Sequence, residues 1–142
     1  MKLFFIGVLL SLSFSITVVA FPTTPNPELA KGSLCTTKDK DYVEKRYKEK
    51  IPYCFRNVSV SVKNQIFALY RIPKKYHGQY TIDHIIPLAL GGDNSFENLW
   101  PEHKKVKATR QNLEIELYWA LRNSEIRQKE AIKIILEEKF KH

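Results

Sequence analysis

The chain is 142 residues long, 27% charged and 44% hydrophobic, and its 23 Lys and Arg against 15 Asp and Glu give a formal charge of +8 at pH 7. At that length one domain at most, plus appendages, is expected. The positive excess points to acidic partners, namely nucleic acid, anionic lipid or a cell-wall polymer, without choosing among them.

Lys2 precedes an apolar run from Leu3 to Ala20, interrupted only by Gly7 and four serines or threonines. Val18 and Ala20 suit cleavage after Ala20, so residues 1–20 read as a secretory signal peptide, with an uncleaved membrane anchor as the alternative. Losing Lys2 takes the basic count from 23 to 22 against 15 acidic side chains, a net +7 for residues 21–142. No later segment is apolar enough to cross a membrane, so no stable membrane association is expected after cleavage.

Pro22, Pro25, Pro27 and Gly32 make residues 21–33 an extended linker, with residues 34–142 as the domain. Cys35 and Cys54 are an even pair in an exported chain, which predicts one disulfide; two buried thiols are the alternative, and a zinc site would need more ligands. Residues 38–50 are mostly charged and suggest a turn or two of helix. Val58 to Val62 alternates like a strand, but Val62, Ile66, Leu69 and Tyr70 recur at helical spacing. A helix over 61–71 is therefore predicted, capped by Ser61 and ended by Pro73. Tyr80-Thr81-Ile82 reads as a strand leading into Asp83 and His84, Pro87 and Gly91-Gly92 break it, and Leu99-Trp100 forms a short return strand. From Glu102 to Arg122 the composition turns helical, with Val106, Leu113, Leu117 and Leu121 on one side. Ser124 caps a last predicted helix through Phe140, with Ala131, Ile135 and Leu136 inward. Trp100, Tyr118 and Trp119 read as core rather than as stacking platforms.

Reactive side chains concentrate between Tyr80 and Lys105, where a carboxylate (Asp83) adjoins an imidazole (His84), a double glycine follows, then Asn98, then His103 at the head of a basic run. This order suits hydrolysis of a phosphodiester by one divalent metal and one histidine base. Histidine is largely neutral and proton-accepting at pH 7, and a divalent cation offsets charge on the phosphate and the leaving oxygen. Adjacent strand residues point to opposite faces, so Asp83 and His84 serve one site only from its two sides, at a strand end. Lys104, Lys105, Lys107 and Arg110, with Arg71, Lys74 and Lys75 upstream, can grip a phosphate backbone without reading sequence, or can be simply a solvated surface.

The ordered set Asp83-His84-Ile85-Ile86-Pro87, Gly91-Gly92, Asn98-Leu99 and His103 resembles the core of the HNH endonucleases, closely over residues 80–105. More loosely, Cys35 to about Leu136 is similar to small secreted bacterial HNH nucleases, in which the Asn-Leu-Trp-Pro-Glu run also occurs. The resemblance implies an α+β fold, with a ββα-metal hairpin-plus-helix core surrounded by additional α-helices. It implies His84 as general base, Asn98 holding the hairpin loop and fixing the imidazole or facing the metal, and Asp83 and His103 as metal ligands. In many members the last ligand lies about eight or nine residues past the middle Asn, where this chain has Val106 and Lys107; His103 is five past Asn98. Oxygen ligands suit Mg²⁺ or Mn²⁺, and an imidazole ligand leans toward Mn²⁺, Zn²⁺ or Ni²⁺. Two functions follow: an exported, metal-dependent endonuclease of low specificity acting on nucleic acid, DNA before RNA, or an inactive basic protein holding nucleic acid or an anionic polymer on the same scaffold.

Overall fold

The computed structural model describes residues 21–141, within which two antiparallel hairpins and four α-helices form. The expected signal peptide and its Ala20 cleavage site lie outside the described residues. The central hairpin joins β3 (Tyr80–His84) to β4 (Leu99–His103), in a register that pairs Tyr80 with His103, Asp83 with Trp100 and His84 with Leu99. Alternation then sets Tyr80, Ile82, Leu99 and His103 on one face and Thr81, Asp83, Trp100 and Glu102 on the other.

Each face is covered by different elements. Helix α1 (Val60–Leu69) lays Ile66 and Phe67 on the first face, against Tyr80, Ile82 and Leu99. On the second, Trp100 is wholly buried and packs with Ala30, Ile85, Val106, Leu136 and Phe140. Helices α3 (Leu113–Arg122) and α4 (Gln128–Lys139) close the larger core through Leu117, Leu121, Ala131 and Ile135, against Ile51, Ile86 and Leu90. Burying each such aliphatic side chain contributes roughly 1.5–3 kcal/mol.

The loop between β3 and β4 is held by one side chain. Asn98, fully buried, accepts the Ile86 amide on Oδ1 at 2.8 Å and donates through Nδ2 to the Ile86 carbonyl at 3.0 Å and the Asp93 carbonyl at 2.9 Å. A Cβ on Gly92 would run into the Ile86 carbonyl, so only glycine allows this close approach.

Five expectations change. Residues 38–50 are not helical: β1 (Tyr42–Arg46) pairs with β2 (Ile51–Cys54), turned by Tyr47 and Lys50 at φ of 62° and 61°. The charged residues of β1 lie on an exposed ribbon, which needs no apolar face to signal it. The first helix starts one residue earlier than predicted, because Ser59 rather than Ser61 accepts the Val62 amide, at 3.2 Å. The predicted 102–122 helix is two: α2 (Lys104–Ala108) and α3, separated where Arg110 turns inward to the buried Glu102. Ser124 has φ 60° and caps nothing; α4 begins after Arg127. Among the aromatics, Trp100 is core but Trp119 is 48% exposed.

Residues 21–33 hold no helix or strand, yet Pro25 and Ala30 are buried and the Phe21 ring lies tilted against Tyr80 and His103. No helix among the described residues is long and apolar enough to cross a membrane.

Cys35 and Cys54 form a disulfide across a sequence separation of 19, tying the segment before β1 to the end of β2. A loop of that size is worth roughly 3 kcal/mol of stability. Thermal unfolding with and without reductant is expected to show Tm falling by roughly 10 °C on reduction; equal midpoints would mean the bridge constrains little.

Candidate active site

His84 closes β3 and is buried, with both ring nitrogens engaged. Arg56 Nη1 lies 3.0 Å from Nδ1, and its Nη2 donates to the Ile82 carbonyl at 2.8 Å. A guanidinium only donates, so Nδ1 is the unprotonated nitrogen and the ring proton is on Nε2. That Nε2–H meets Asn94 Oδ1 at 3.0 Å, and Asn94 is oriented in turn because its Nδ2 donates to Asp41 Oδ2 at 3.0 Å and to the Phe55 carbonyl at 2.9 Å. Burial lowers the imidazole pKa, the Asn94 bond opposes it, and the Arg56 charge lowers it further, for a net value below the usual 6.5. The result is a neutral imidazole in a fixed tautomer, its lone pair covered by an exposed arginine.

Asp83 points to the other face. Its Oδ2 lies 3.1 Å from Lys139 Nζ and its Oδ1 2.9 Å from Lys107 Nζ. Burial alone would raise the carboxyl pKa, but the two ammonium groups overcome it and hold the group at about 2. Lys139 is itself fully buried and also donates to the His84 carbonyl at 2.5 Å and pairs with Glu114 at 2.9 Å.

The sequence reading grouped Asp83 with His103, and the structure does not bring them together. They lie on opposite faces of the hairpin, three register positions apart. His103 Nδ1 accepts the Lys105 amide at 3.2 Å, capping α2, and the ring sits between Phe21 and Tyr80, with centroids 4.9 Å and 5.1 Å away. Asn98 holds the loop and does not touch the imidazole; Asn94 does that. Arg110 is withdrawn from any phosphate, since its side chain is 7% exposed and paired with Glu102. Lys104, Lys105, Lys107 and Arg71 remain on the surface, with Lys104 and Lys107 lining a groove beside Glu114. A second groove on the hairpin is lined by Arg56, Lys63 and His77.

Arg56, Asn94, Asp41 and Lys139 were not singled out from sequence. Only Lys139 left a signal: it falls at i+8 from Ala131 and i+4 from Ile135, on the inward stripe of α4.

As for a cation, the only group of three His, Cys, Asp or Glu ligand atoms among the described residues is Cys35, Asp39 and Cys54, whose sulfurs are bonded to each other. No protein cage for zinc or nickel is present among them. Asp83 does fit a hard cation that keeps most of its waters. Its carboxylate is ionised, and the half-exposed Lys107 ammonium already stands on Oδ1 as a cation would.

Comparison with known sequences places residues 67–113 in the family described as HNH endonuclease. The matched segment runs from within α1, through β3, the Asn98 loop, β4 and α2, to the first residue of α3. No curated protein and no solved structure matches the chain. HNH nucleases use a divalent metal ion in general and act on nucleic acid. Over this strand, loop, strand and helix, residues 67–113 are similar to the HNH endonucleases.

Proposed function

We propose that the protein is an exported endonuclease that hydrolyses phosphodiester bonds of nucleic acid, DNA before RNA, with His84 as the general base. The observation that carries this is the imidazole itself: buried, neutral, fixed in its Nε2–H tautomer by Asn94, with Nδ1 as the one lone pair. A base of that kind accepts a proton from an attacking water as soon as Nδ1 is uncovered. Arg56 is the group to uncover it, because a phosphate oxygen competes for a guanidinium more strongly than a neutral nitrogen does. Substrate would thus draw Arg56 off the base and be held by it in the same movement.

Asp83 projects from the opposite face of β3, so the scissile phosphate must lie across the open strand end to be served by both. A divalent cation on Asp83, Mg²⁺ or Mn²⁺, would supply Lewis-acid stabilisation of the phosphate and the leaving oxygen. Lys104, Lys105 and Arg71 add sequence-independent backbone contacts. Export is supported by the Cys35–Cys54 bond and by the leader read in the sequence.

The second reading, a binding protein without activity, is favoured by one observation: both Asp83 oxygens carry ammonium groups. Plasmid incubation with Mg²⁺ or Mn²⁺, then with EDTA, separates the two. Cleavage abolished by His84→Ala and by EDTA, with DNA binding retained, is expected; binding without cleavage in every metal would select the inactive module. Because the base works only unprotonated and its pKa is lowered, the rate is expected to fall on acidification with a midpoint below pH 6.5. Asn94→Ala should keep the fold and cost kcat on the order of tenfold to a hundredfold through the loosened ring; an unchanged kcat would remove Asn94 from the mechanism.

A further inference from the structure

We propose that Lys107 holds the place of the divalent cation, and that the cation, when it binds, displaces this ammonium from between Asp83 and Glu102. The inference rests on the reading of Asp83 as a metal ligand and adds a second ligand and a competitor.

Asp83 and Glu102 share a face of the hairpin, one on each strand, displaced along the register by two residues. Lys107 Nζ lies between them, 2.9 Å from Asp83 Oδ1 and 4.0 Å from Glu102 Oε2. Glu102 is completely buried; its Oε1 stands against Arg110 as an ion pair, and neither carboxylate oxygen has a hydrogen-bond partner among the described residues. A buried carboxylate oxygen left unpaired is costly and asks for a cation. Lys107 comes near it but stops short of bonding distance.

The two lysines on Asp83 differ in freedom. The Lys139 side chain is 0% exposed and has three acceptors, so it stays. Lys107 is 46% exposed and borders the open groove, so it can leave. Charge counting points the same way. Asp83, Glu102 and Glu114 carry three negative charges against three positive charges on Lys107, Lys139 and Arg110. With Lys107 in place the cluster is neutral and attracts no ion strongly; with Lys107 swung out it is −1 and open. The ligands are then two carboxylate oxygens and no nitrogen, which selects Mg²⁺ or Mn²⁺ over Zn²⁺. The released ammonium faces the groove, where a phosphate can take it.

Mn²⁺ binding to the purified full chain, followed by the electron paramagnetic resonance of free Mn²⁺ without nucleic acid, tests this apart from activity. Lys107→Met is expected to bind Mn²⁺ on the order of tenfold more tightly than wild type, since the competing, partly exposed ion pair is gone. Adding Glu102→Gln to Lys107→Met should reverse most of that gain, and Asp83→Asn should abolish binding in either background. Unchanged or weaker binding in Lys107→Met, with Asp83→Asn still losing it, would overturn the displacement while leaving Asp83 as a ligand. A double variant as tight as Lys107→Met would remove Glu102 from the site. Asp83→Asn binding like wild type would sink the metal reading of Asp83 itself. Lys107 sits half exposed on a short helix, so its replacement leaves a folded protein in which these outcomes are readable even if Glu102→Gln destabilises.

Discussion

A single buried ammonium organises the site. Lys139 reaches from the last turn of α4 to Asp83 Oδ2, the His84 carbonyl and Glu114 on α3. Taking such a charge out of water costs several kcal/mol, and only well-placed acceptors offset it. The fold must therefore bring the end of β3, helix α3 and the C-terminal helix to one point, or leave a bare charge inside. That requirement fixes where α4 docks and hence how Asp83 is aimed. It also explains why Asp83 stays ionised although it is buried.

The strand end then divides labour by alternation. Consecutive residues of β3 face opposite ways, which gives His84 one set of neighbours and Asp83 another. On the His84 side the groups are a guanidinium, an amide and, behind it, a carboxylate, and they settle a tautomer. On the Asp83 side the groups are lysines and acids, and they settle a charge balance. Lys139 is common to both, through the carbonyl of one residue and the carboxylate of the other.

The sequence was most legible where its signals are local. Strand formers before Asp83, breakers at Pro87 and Gly91-Gly92, and the return at Leu99 marked the hairpin because each acts within a few residues. The cysteine pair was legible from its even count in a chain read as exported, and the α1 boundary was missed by one residue because two serines compete for the cap. The β1–β2 ribbon was not legible, since β1 exposes charge instead of alternating with a buried face, and β2 is only four residues long. For His103, proximity in sequence to Asn98 suggested a ligand, while the register that turns it away is a property of the pairing between strands. Arg56, Asp41 and Asn94 converge on His84 from three separate loops, and no spacing rule connects them.

The disulfide-clipped ribbon has a consequence for how portable this chemistry is. Asp41 and Arg56 flank it, and Lys139 comes from the far terminus; none of the three lies within residues 67–113. Residues 67–113 taken alone would carry the hairpin without Arg56 and Asp41 on the His84 side and without the Lys139 ammonium that holds Asp83 ionised.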